Sequence, residues 1–495
     1  MKNRIKPLTI VCLTGLLIAF SGCESFLEKD PQGALTQETF PTTGSDALLA
    51  VNAAYGTMLD LRFHSGIFPL TDIMSDDARK GSNPTDQSTE IGPYDNFMFT
   101  KTGNELASWW STLYMGIKRA NVVIEKVPLI TMDETLRSRY VAEAKFLRGL
   151  FYFDLVRAWG DVPLVSNLTP SVDLARSPRE DVYSLIEQDL LDAIAALSEK
   201  GQGSGEPGRA TKGSAKALLA KVYLFQGDFT NAEKYSVEVI TSGKYGLEPD
   251  FIDANGVNGE HGIESVFEIG AVGLEAAGGN GYANVQGVRG TPNRGWGFNR
   301  PSPDLRSSFE NGDPRLKGTI MDLGDVIDGI TILGDGTTPD ITRDENGTVL
   351  ETECYNRKVW TPGTDVPTQF GHNRRILRYA DVLLIAAEAS NENNKPGQAL
   401  LYLNQVRERA RQGNDAILPD ITENDKDKLR LLILEERRHE LALEGHRFWD
   451  LVRTGMAAEV LGPLGFVVGK NELFPVPQSE IDISKGTLTQ NQNWN

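Results

Sequence analysis

A dense group of charged side chains lies near the C-terminal end of the sequence. Its members are Glu435, Glu436, Arg437, Arg438, Glu440, Glu444 and Arg447. Paired carboxylates could act as acid and base, and His439-Glu440 begins an H-E-x-x-H zinc motif. Leu443 occupies the position of the second zinc ligand, so the metal site is not predicted. Acids and arginines at helical spacing also predict an ion-pair lattice between helices, and we favour that interpretation.

A second segment, residues 342–353, has the spacing of a calcium-binding loop. Thr342, Asp344, Asn346, Gly347 and Glu353 occupy positions one, three, five, six and twelve of an EF-hand. Position one should be Asp, and Asn346-Gly347 is typical of a hairpin turn, so a solvated hairpin is preferred. No G-x-S-x-G, S-x-x-K or Walker motif occurs. A glycoside hydrolase remains the enzyme alternative, because it needs only two suitably spaced carboxylates.

The first 22 residues have the pattern of a bacterial export leader. Its basic residues are Lys2, Arg4 and Lys6, and an apolar stretch too short to span a bilayer follows at residues 8–20. Ser21-Gly22 directly precedes Cys23, and this resembles the lipobox of lipoproteins. The resemblance implies cleavage before Cys23 and acyl chains, palmitate among them, on that residue. Several acyl chains would anchor the body stably to a membrane. An ordinary secretory leader with an incidental Cys is the alternative.

Composition excludes several classes of protein. The 495 residues include 68 Asp and Glu against 50 Lys and Arg, for a net charge of −18. Such an acidic chain should not bind nucleic acid through its surface, because phosphate contacts need a basic face. Apolar residues make up 40%, a value typical of folded proteins. Three Cys and five His, without a C-x-x-C pair, form neither a disulfide framework nor the usual zinc spacing, and we predict no cofactor and no metal.

The apolar periodicity predicts a mainly α fold. Stripes at steps of three and four predict helices over residues 46–61, 109–127, 140–159 and 182–197. Residues 211–242 have the small, aromatic and Gly spacing of a tetratricopeptide hairpin, and residues 378–411 repeat it more weakly. We therefore predict three or four helical-hairpin repeats that are split in sequence.

Gly, Asn, Asp and Pro dominate between the last two hairpins, where the helical periodicity is mostly lost. The predicted organisation is a leader at 1–22, an N-terminal helical region at 23–248 and a C-terminal region at 249–495. The C-terminal region divides into a loop-rich part at 249–368, a helical part at 369–460 and a tail. Long loops on a rigid scaffold usually carry the function, so the loop and short-strand insertion is expected to carry the ligand surface.

Seven stretches, in order along the chain, resemble the SusD/RagB family of outer-membrane nutrient-uptake lipoproteins. They are FLEKDP at 26–31, WSTLYMGIKRAN at 110–121, EAKFLRGLFYFDLVRAWGDVP at 143–163, GDPR at 312–315, RYADVLLIAAEA at 378–389, EERRHELALEGHRFWDL at 435–451 and FPVP at 474–477. The match rests on their number and order, since no single motif is decisive.

The resemblance implies a tetratricopeptide-like, SusD-like fold without catalysis. It also implies a lipid-anchored position on the outer membrane, facing the cell exterior, and a role as the lid of a SusC-like TonB-dependent transporter. The expected cargo is an oligosaccharide. A peptide, as in RagB-type proteins, is the alternative cargo, and a purely structural lid is a further possibility.

Two irregular segments, residues 72–96 and 282–300, are expected to line the ligand site, as the matching regions do in the family. Sugars are recognised by aromatic faces together with planar polar side chains. The predicted contacts are Asp76, Asp77, Arg79, Asn83, Tyr94, Asn96, Arg294, Trp296 and Asn299. Tyr94 and Trp296 are the expected stacking platforms, with Trp360 a weaker candidate. A loop anchor between Gly295 and Gly297 is the alternative role for Trp296. Aromatic residues on helical stripes are assigned to packing; these are Trp109, Trp110, Tyr114, Trp159 and Trp449.

Overall fold

The computed structural model describes residues 40–64, 66, 68–171, 174–202, 207–273, 281–362 and 371–494. One apolar core extends through these ranges from Ala54 to Trp494 and contains residues from both sides of the predicted boundary at 248/249. The predicted leader and Cys23 lie outside the described residues.

Helices dominate the described chain, as predicted. They are α1 (Gly44–Gly56), α2 (Leu61–His64), α3 (Asn104–Lys126), α4 (Glu134–Trp159), α5 (Arg179–Ala196), α6 (Lys212–Gln226), α7 (Phe229–Thr241), α8 (Phe251–Asn255), α9 (Gly281–Gln286), α10 (Pro303–Ser308), α11 (Arg315–Thr319), α12 (Tyr379–Glu392), α13 (Pro396–Arg411), α14 (Lys426–Leu441), α15 (Arg447–Arg453), α16 (Ala457–Leu461) and α17 (Gln478–Ile483). Thr43 and Thr211 form capping boxes at the starts of α1 and α6, and Asp133 caps α4, so polar side chains satisfy first-turn N–H groups.

The long helices pack as successive hairpins. Helix α3 packs against α4, α4 against α5, α5 against α6, and α6 against α7. Gly227 ends α6 with φ of +74°, a left-handed conformation that glycine adopts without steric cost, and α7 then folds back on α6. The next helix of the array is α12, which packs on α7 and is followed by α13 and α14. The predicted helical-hairpin repeats, interrupted by a long insertion, are thereby confirmed.

Short strands and helices form the region between α7 and α12. The strands of the whole described chain are β1 (Ala78–Gly81), β2 (Val162–Pro163), β3 (Arg176–Ser177), β4 (Ser265–Ile269), β5 (Phe298–Pro301), β6 (Ile320–Asp322), β7 (Val326–Ile327), β8 (Ile330–Thr331), β9 (Ile341–Arg343), β10 (Val349–Thr352), β11 (Cys354–Asn356) and β12 (Arg374–Arg378). They form antiparallel pairs: β1–β5, β2–β3, β4–β12, β6–β11, β7–β8 and β9–β10. Two of these pairs, β1–β5 and β4–β12, join segments that are distant in sequence.

Sequence periodicity placed the helices well but not all their ends. Helix α4 begins at Glu134, six residues before the predicted start, because Asp133 supplies its N-cap. In the part of the chain that the structure describes, no helix combines the length and apolar character needed to cross a membrane. Trp109, Trp110, Trp159 and Trp449 are all buried in the core, as assigned.

Candidate functional site

The two segments predicted to line a ligand site are joined by the β1–β5 ladder. Arg79 pairs with Arg300 in this ladder, and Gly81 pairs with Phe298. Immediately beyond it, the N–H of Ser82 donates to the carbonyl oxygen of Gly297 at 2.6 Å. Residues 72–96 and 282–300 are therefore adjacent in the fold, although about two hundred residues of sequence separate them.

The base of this junction is a buried network rather than a ligand surface. Asp76 accepts hydrogen bonds from Arg447 at 2.8 Å, and Asp77 accepts one from Arg438 at 2.7 Å. Burial alone would raise the pKa of Asp76, but the two arginines hold it below its usual value. Asn299 is fully buried and donates to Asp72 at 3.0 Å. The predicted ligand contacts of Asp76, Asp77 and Asn299 are corrected: these side chains fasten the segments to the helical body.

Tyr94 is also a core residue, and its predicted role as a stacking platform is wrong. Its side chain is 1% exposed and stacks on Phe99 with ring centroids 5.0 Å apart. Burial raises the pKa of its hydroxyl well above the usual value. Ile91 and Phe97 are also buried and belong to the same apolar core as Tyr94. Apolar residues at 91, 94 and 97, a spacing of three, were the available sequence signal that this turn packs inward.

The remaining predicted contacts fall into two groups. Arg294 is buried, and its guanidinium lies 5.5 Å from the ring centroid of Trp360. Trp360 is buried as well. The prediction that Arg294 or Trp360 contacts a ligand is therefore corrected. Arg79 is half-buried and donates to the carbonyl of Ala78 at 2.7 Å. Asn83 is half-buried and Asn96 is exposed, so both can reach solvent. For Arg79, Asn83 and Asn96, ligand contact stays a prediction.

Trp296 presents its ring to solvent, with 52% of the residue exposed. Backbone hydrogen bonds fix its position: its N–H donates to Asn284 at 3.0 Å, and Gly297 donates to Gly287 at 2.9 Å. A Cβ added at Gly295 would lie 2.2 Å from the carbonyl oxygen of Asn284, so only glycine allows this close approach. The two glycines thus anchor the backbone of the loop, whereas the indole itself is displayed. Stacking on a ligand stays a prediction.

A polar cluster lies beside Trp296 on the same surface. Arg289 donates to the hydroxyl of Ser82 at 2.9 Å, to the carboxylate of Asp86 and, at 2.6 Å, to that of Asp335. About a third of the side chain is exposed for both Arg289 and Asp86. A Cβ added at Gly297, the residue after Trp296, would lie 3.2 Å from the Cβ of Arg289. No local sequence pattern points to Arg289, because the pairing of residues 82, 86, 289 and 335 arises only from the fold.

The charged stretch on α14 forms the ion-pair lattice predicted for it. Glu440 accepts hydrogen bonds from Arg378 and Arg409, and Arg315 donates a hydrogen bond to Glu436. Burial would raise the pKa of Glu440, but the surrounding arginines lower it to about 2. A carboxylate that is buried and paired in this way serves poorly as an acid or base. The lattice links α11, β12, α13 and α14.

Glu310, Glu436 and His439 lie close enough together to suggest a metal site. Arg407, however, donates to both carboxylates, at 2.7 Å to Glu310 and 2.8 Å to Glu436. A metal ion there would have to displace the guanidinium of Arg407.

Residues 342–353, which have EF-hand spacing, contain the β9–β10 hairpin. In this hairpin the carboxylate of Asp344 accepts a hydrogen bond from the N–H of Thr348 at 2.7 Å, as expected for the hairpin that the sequence favours over a calcium loop.

A cavity of about 240 Å³ lies away from Trp296, between the connection of α5 to α6 and strand β4. Its lining includes Arg139, Lys200, Arg209 and His261, and none of the predicted site residues.

Comparisons with known proteins cover nearly the whole chain. Residues 263–494 match a family model described as the SusD family, and residues 27–224 match one described as "Starch-binding associating with outer membrane". The chain is 31% identical to SusD-like protein P2 of Formosa agariphila, over 97% of this chain and 98% of that protein.

Two solved structures are similar to this chain over most of its length. A laminarin binding SusD-like protein is 30% identical, covers 92% of this chain and 100% of its own, and has a TM-score of 0.75. Surface glycan-binding protein A of Bacteroides thetaiotaomicron, in complex with laminarihexaose, is 28% identical, with a TM-score of 0.74 over 91% of this chain and 100% of that one. These relatives are described as binding proteins, which agrees with the prediction that the chain is not an enzyme. With one relative above 30% identity along almost its full length, and with two family models that match in succession, the chain belongs to the SusD family.

Proposed function

We propose that the protein is a non-catalytic, cell-surface binding protein that captures an oligosaccharide on the surface around Trp296. The observation that carries the proposal is the exposed indole, which the backbone of a glycine-flanked loop holds in a fixed position. An aromatic face that is already ordered can stack on the apolar face of a sugar ring without the entropic cost of ordering the loop on binding. The adjacent Arg289, Asp86 and Ser82 supply donors and acceptors for hydroxyl groups.

The relatives support a glycan as the ligand. One is described as laminarin binding, and another was solved with laminarihexaose. A shorter match, 30% identical over 141 residues, is the starch-binding protein SusD of Bacteroides thetaiotaomicron. Laminarin-type and starch-type oligosaccharides are therefore the first ligands to test.

Asp86 and Asp335, the two carboxylates paired with Arg289, lack the raised pKa that the acid of a glycosidase needs. Glycosidases need one carboxylic acid whose pKa is raised so that it can donate a proton. Burial would raise the pKa of Asp86, but hydrogen bonds from Ser82 and Arg289 hold it below its usual value. Asp335 likewise has a lowered pKa despite partial burial, because the N–H groups of Thr338 and Thr337 donate to it. Both carboxylates are thus held ionised.

We further propose that Cys23 carries the lipid anchor, that the protein faces outward on the outer membrane, and that it delivers its cargo to a SusC-like TonB-dependent transporter as its lid. The lipobox-like leader supports the anchor, and the family description supports association with the outer membrane. The outward orientation and the transporter partner rest on the family resemblance alone. Purification in a mild detergent should co-isolate a large β-barrel protein. Repeated recovery of the chain alone would count against the transporter partnership and leave glycan binding untouched.

Calorimetric titration against a panel tests the binding proposal. The panel contains laminarihexaose, maltohexaose and a set of short peptides. We expect a saturable signal with one of the oligosaccharides and no smaller sugars in the mixture after prolonged incubation. A signal with peptides alone would support the RagB-type alternative, and release of shorter sugars would support a hydrolase.

A further inference from the structure

Lys80 lies near the end of strand β1, just before the loop that carries Ser82 and Asp86, and is 7% exposed. Its Nζ donates hydrogen bonds to three backbone carbonyls, those of Gly81 at 2.9 Å, Asn83 at 3.0 Å and Asp86 at 2.9 Å. A lysine ammonium has three hydrogens, so all of them are directed at one short stretch of backbone. The loop from residue 81 to residue 86 is thus folded around a single cation.

The protonated form of Lys80 is the one that fits this arrangement. A neutral amine has only two hydrogens and could not donate to three carbonyls. Burial lowers the pKa of Lys80, and the carboxylates of Glu351, Asp95 and Asp86 act in the opposite direction. Because a buried ammonium is costly unless its hydrogen bonds are satisfied, the charge and the three carbonyls hold each other in place.

Further contacts fix the position of the Lys80 side chain. Nζ lies 5.7 Å from the ring centroid of Phe298 on the partner strand β5. The backbone N–H of Lys80 donates to the carboxylate of Asp95 at 2.8 Å. A Cβ added at Gly92 would lie 3.8 Å from the Cδ of Lys80, so the aliphatic stem passes close to the turn at residues 92–96. The ammonium is therefore held at a defined place relative to the β1–β5 ladder.

The loop that Lys80 holds supplies two side chains of the polar cluster beside Trp296. Ser82 donates to the carboxylate of Asp86 at 2.9 Å, and Arg289 donates to both side chains. Ser82 has φ of +55°, in the left-handed region that residues other than glycine seldom adopt. Such a conformation persists only where surrounding contacts hold it, and the hydrogen bonds from Lys80 to the flanking carbonyls are contacts of this kind.

We propose that Lys80 is a positioning residue for the oligosaccharide surface. Without contacting the ligand, its ammonium draws together the carbonyls of residues 81–86 and so places Ser82 and Asp86 against Arg289. The inference rests on the proposed function of the surface around Trp296, because it gives these polar groups a part in binding.

Lys200 provides a matched control, because its ammonium is bound in the same manner elsewhere in the protein. It is half-buried and donates to the carbonyls of Gly262 at 2.5 Å and Ser265 at 2.8 Å. Its Nζ lies 5.1 Å from the ring centroid of Tyr245. Lys200 lines the cavity of about 240 Å³, whose lining contains no member of the cluster around Arg289.

Hydrogen–deuterium exchange tests the positioning role without any ligand. Lys80→Met removes the ammonium and keeps an unbranched stem. We expect the amides of residues 82–87, including the N–H of Asp86 that donates to Asn83, to exchange about tenfold or more faster than in wild type. Lys200→Met should leave their exchange unchanged. Wild-type exchange of these amides in Lys80→Met would overturn the proposal, whatever the ligand.

Affinity separates positioning from a merely structural role. Titrated with laminarihexaose and with maltohexaose, Lys80→Met should bind about tenfold more weakly than wild type, the loss typical of a charged hydrogen-bonding group. Lys200→Met should bind as wild type does, even if both variants melt at lower temperatures. Lys80→Arg keeps the charge and several donors, so it should recover part of the affinity.

Two results of this titration would overturn the proposal. One is equal affinity in wild type and Lys80→Met, and the other is an equal loss of affinity in Lys80→Met and Lys200→Met. If wild type bound neither sugar, the proposed function would fail instead, and the exchange measurement alone would decide whether Lys80 orders the loop.

Discussion

The backbone N–H of Ser82 donates a 2.6 Å hydrogen bond to the carbonyl oxygen of Gly297, the residue that follows the exposed Trp296. Through this bond and the β1–β5 ladder, the N-terminal part of the chain supports the loop that displays the indole. The same Ser82 accepts a hydrogen bond from Arg289 through its hydroxyl group. The candidate ligand surface is therefore built jointly by both halves of the sequence.

Arg289 should be needed for affinity more than for stability. It holds Asp86 and Asp335 in place beside Trp296, yet its ion pairs are partly exposed, and such pairs contribute about 0–1 kcal/mol to folding. We expect Arg289→Ala to weaken oligosaccharide binding about tenfold or more, the loss typical of a charged hydrogen-bonding group. Calorimetric titration beside Arg62→Ala, an exposed arginine with a local partner, measures the effect. Unchanged affinity in Arg289→Ala would remove the cluster from the site.

Tyr94 should behave as a core residue. Removing a buried aromatic ring leaves a cavity, so Tyr94→Ala should lower the free energy of unfolding by about 3–5 kcal/mol. Tyr94→Phe keeps the ring stacked on Phe99 and should lose no more than about 1.5 kcal/mol. Urea denaturation of both variants gives the two values. A large loss of glycan affinity in Tyr94→Phe, with normal stability, would restore a binding role for this residue.

Features that depend on residues close together in sequence could be predicted, whereas contacts between distant segments could not. Helices and hairpins such as α6–α7 depend on local periodicity and on Gly227, so sequence patterns predicted them. The exposure of Trp296 was one of two predicted alternatives. The prediction for Tyr94 is wrong because an irregular segment indicates an open loop, whereas the aromatic ring of Tyr94 packs against Phe99. The Arg289–Asp86 contact depends on a strand pairing between distant segments, which no local pattern encodes.

Acid should destabilise the protein through the lattice on α14. The pKa of Glu440 is about 2 in the folded protein against an ordinary value of 4.5, so the unfolded chain takes up a proton first as the pH falls. Its contribution to stability is complete above about pH 4.5 and is lost progressively down to about pH 2. Glu440→Gln should cost about 3–5 kcal/mol at neutral pH, because Arg378 and Arg409 lose their shared partner.

The decline in stability between pH 4.5 and 2 should also be shallower in Glu440→Gln than in wild type. Denaturation curves at several pH values check this, with the exposed Glu134→Gln as the control. If Glu440→Gln and Glu134→Gln were equally stable at neutral pH, the lattice would not have the structural role assigned to it.

Cys23 should be the site of lipid attachment. Growth with a clickable fatty acid should label wild type, and Cys23→Ala should be unlabelled and released from the membrane fraction. Cys354 is buried and provides the matched control, since Cys354→Ala should still be labelled. A Cys23→Ala protein that stays labelled and membrane-bound would show that the anchor lies elsewhere.

The proposed function requires the exposed indole of Trp296 to bind the cargo. Its most direct test is the dissociation constant of Trp296→Ala for the strongest-binding oligosaccharide of the panel, measured with the melting temperature of the same preparation. Loss of an aromatic residue at a binding centre typically costs about 2 kcal/mol or more, so affinity should fall about 30-fold while the melting temperature changes little. Leu129→Ala, another exposed apolar residue, should match wild type. An unchanged dissociation constant with a markedly lower melting temperature would contradict a binding role for Trp296 and leave it as a loop anchor.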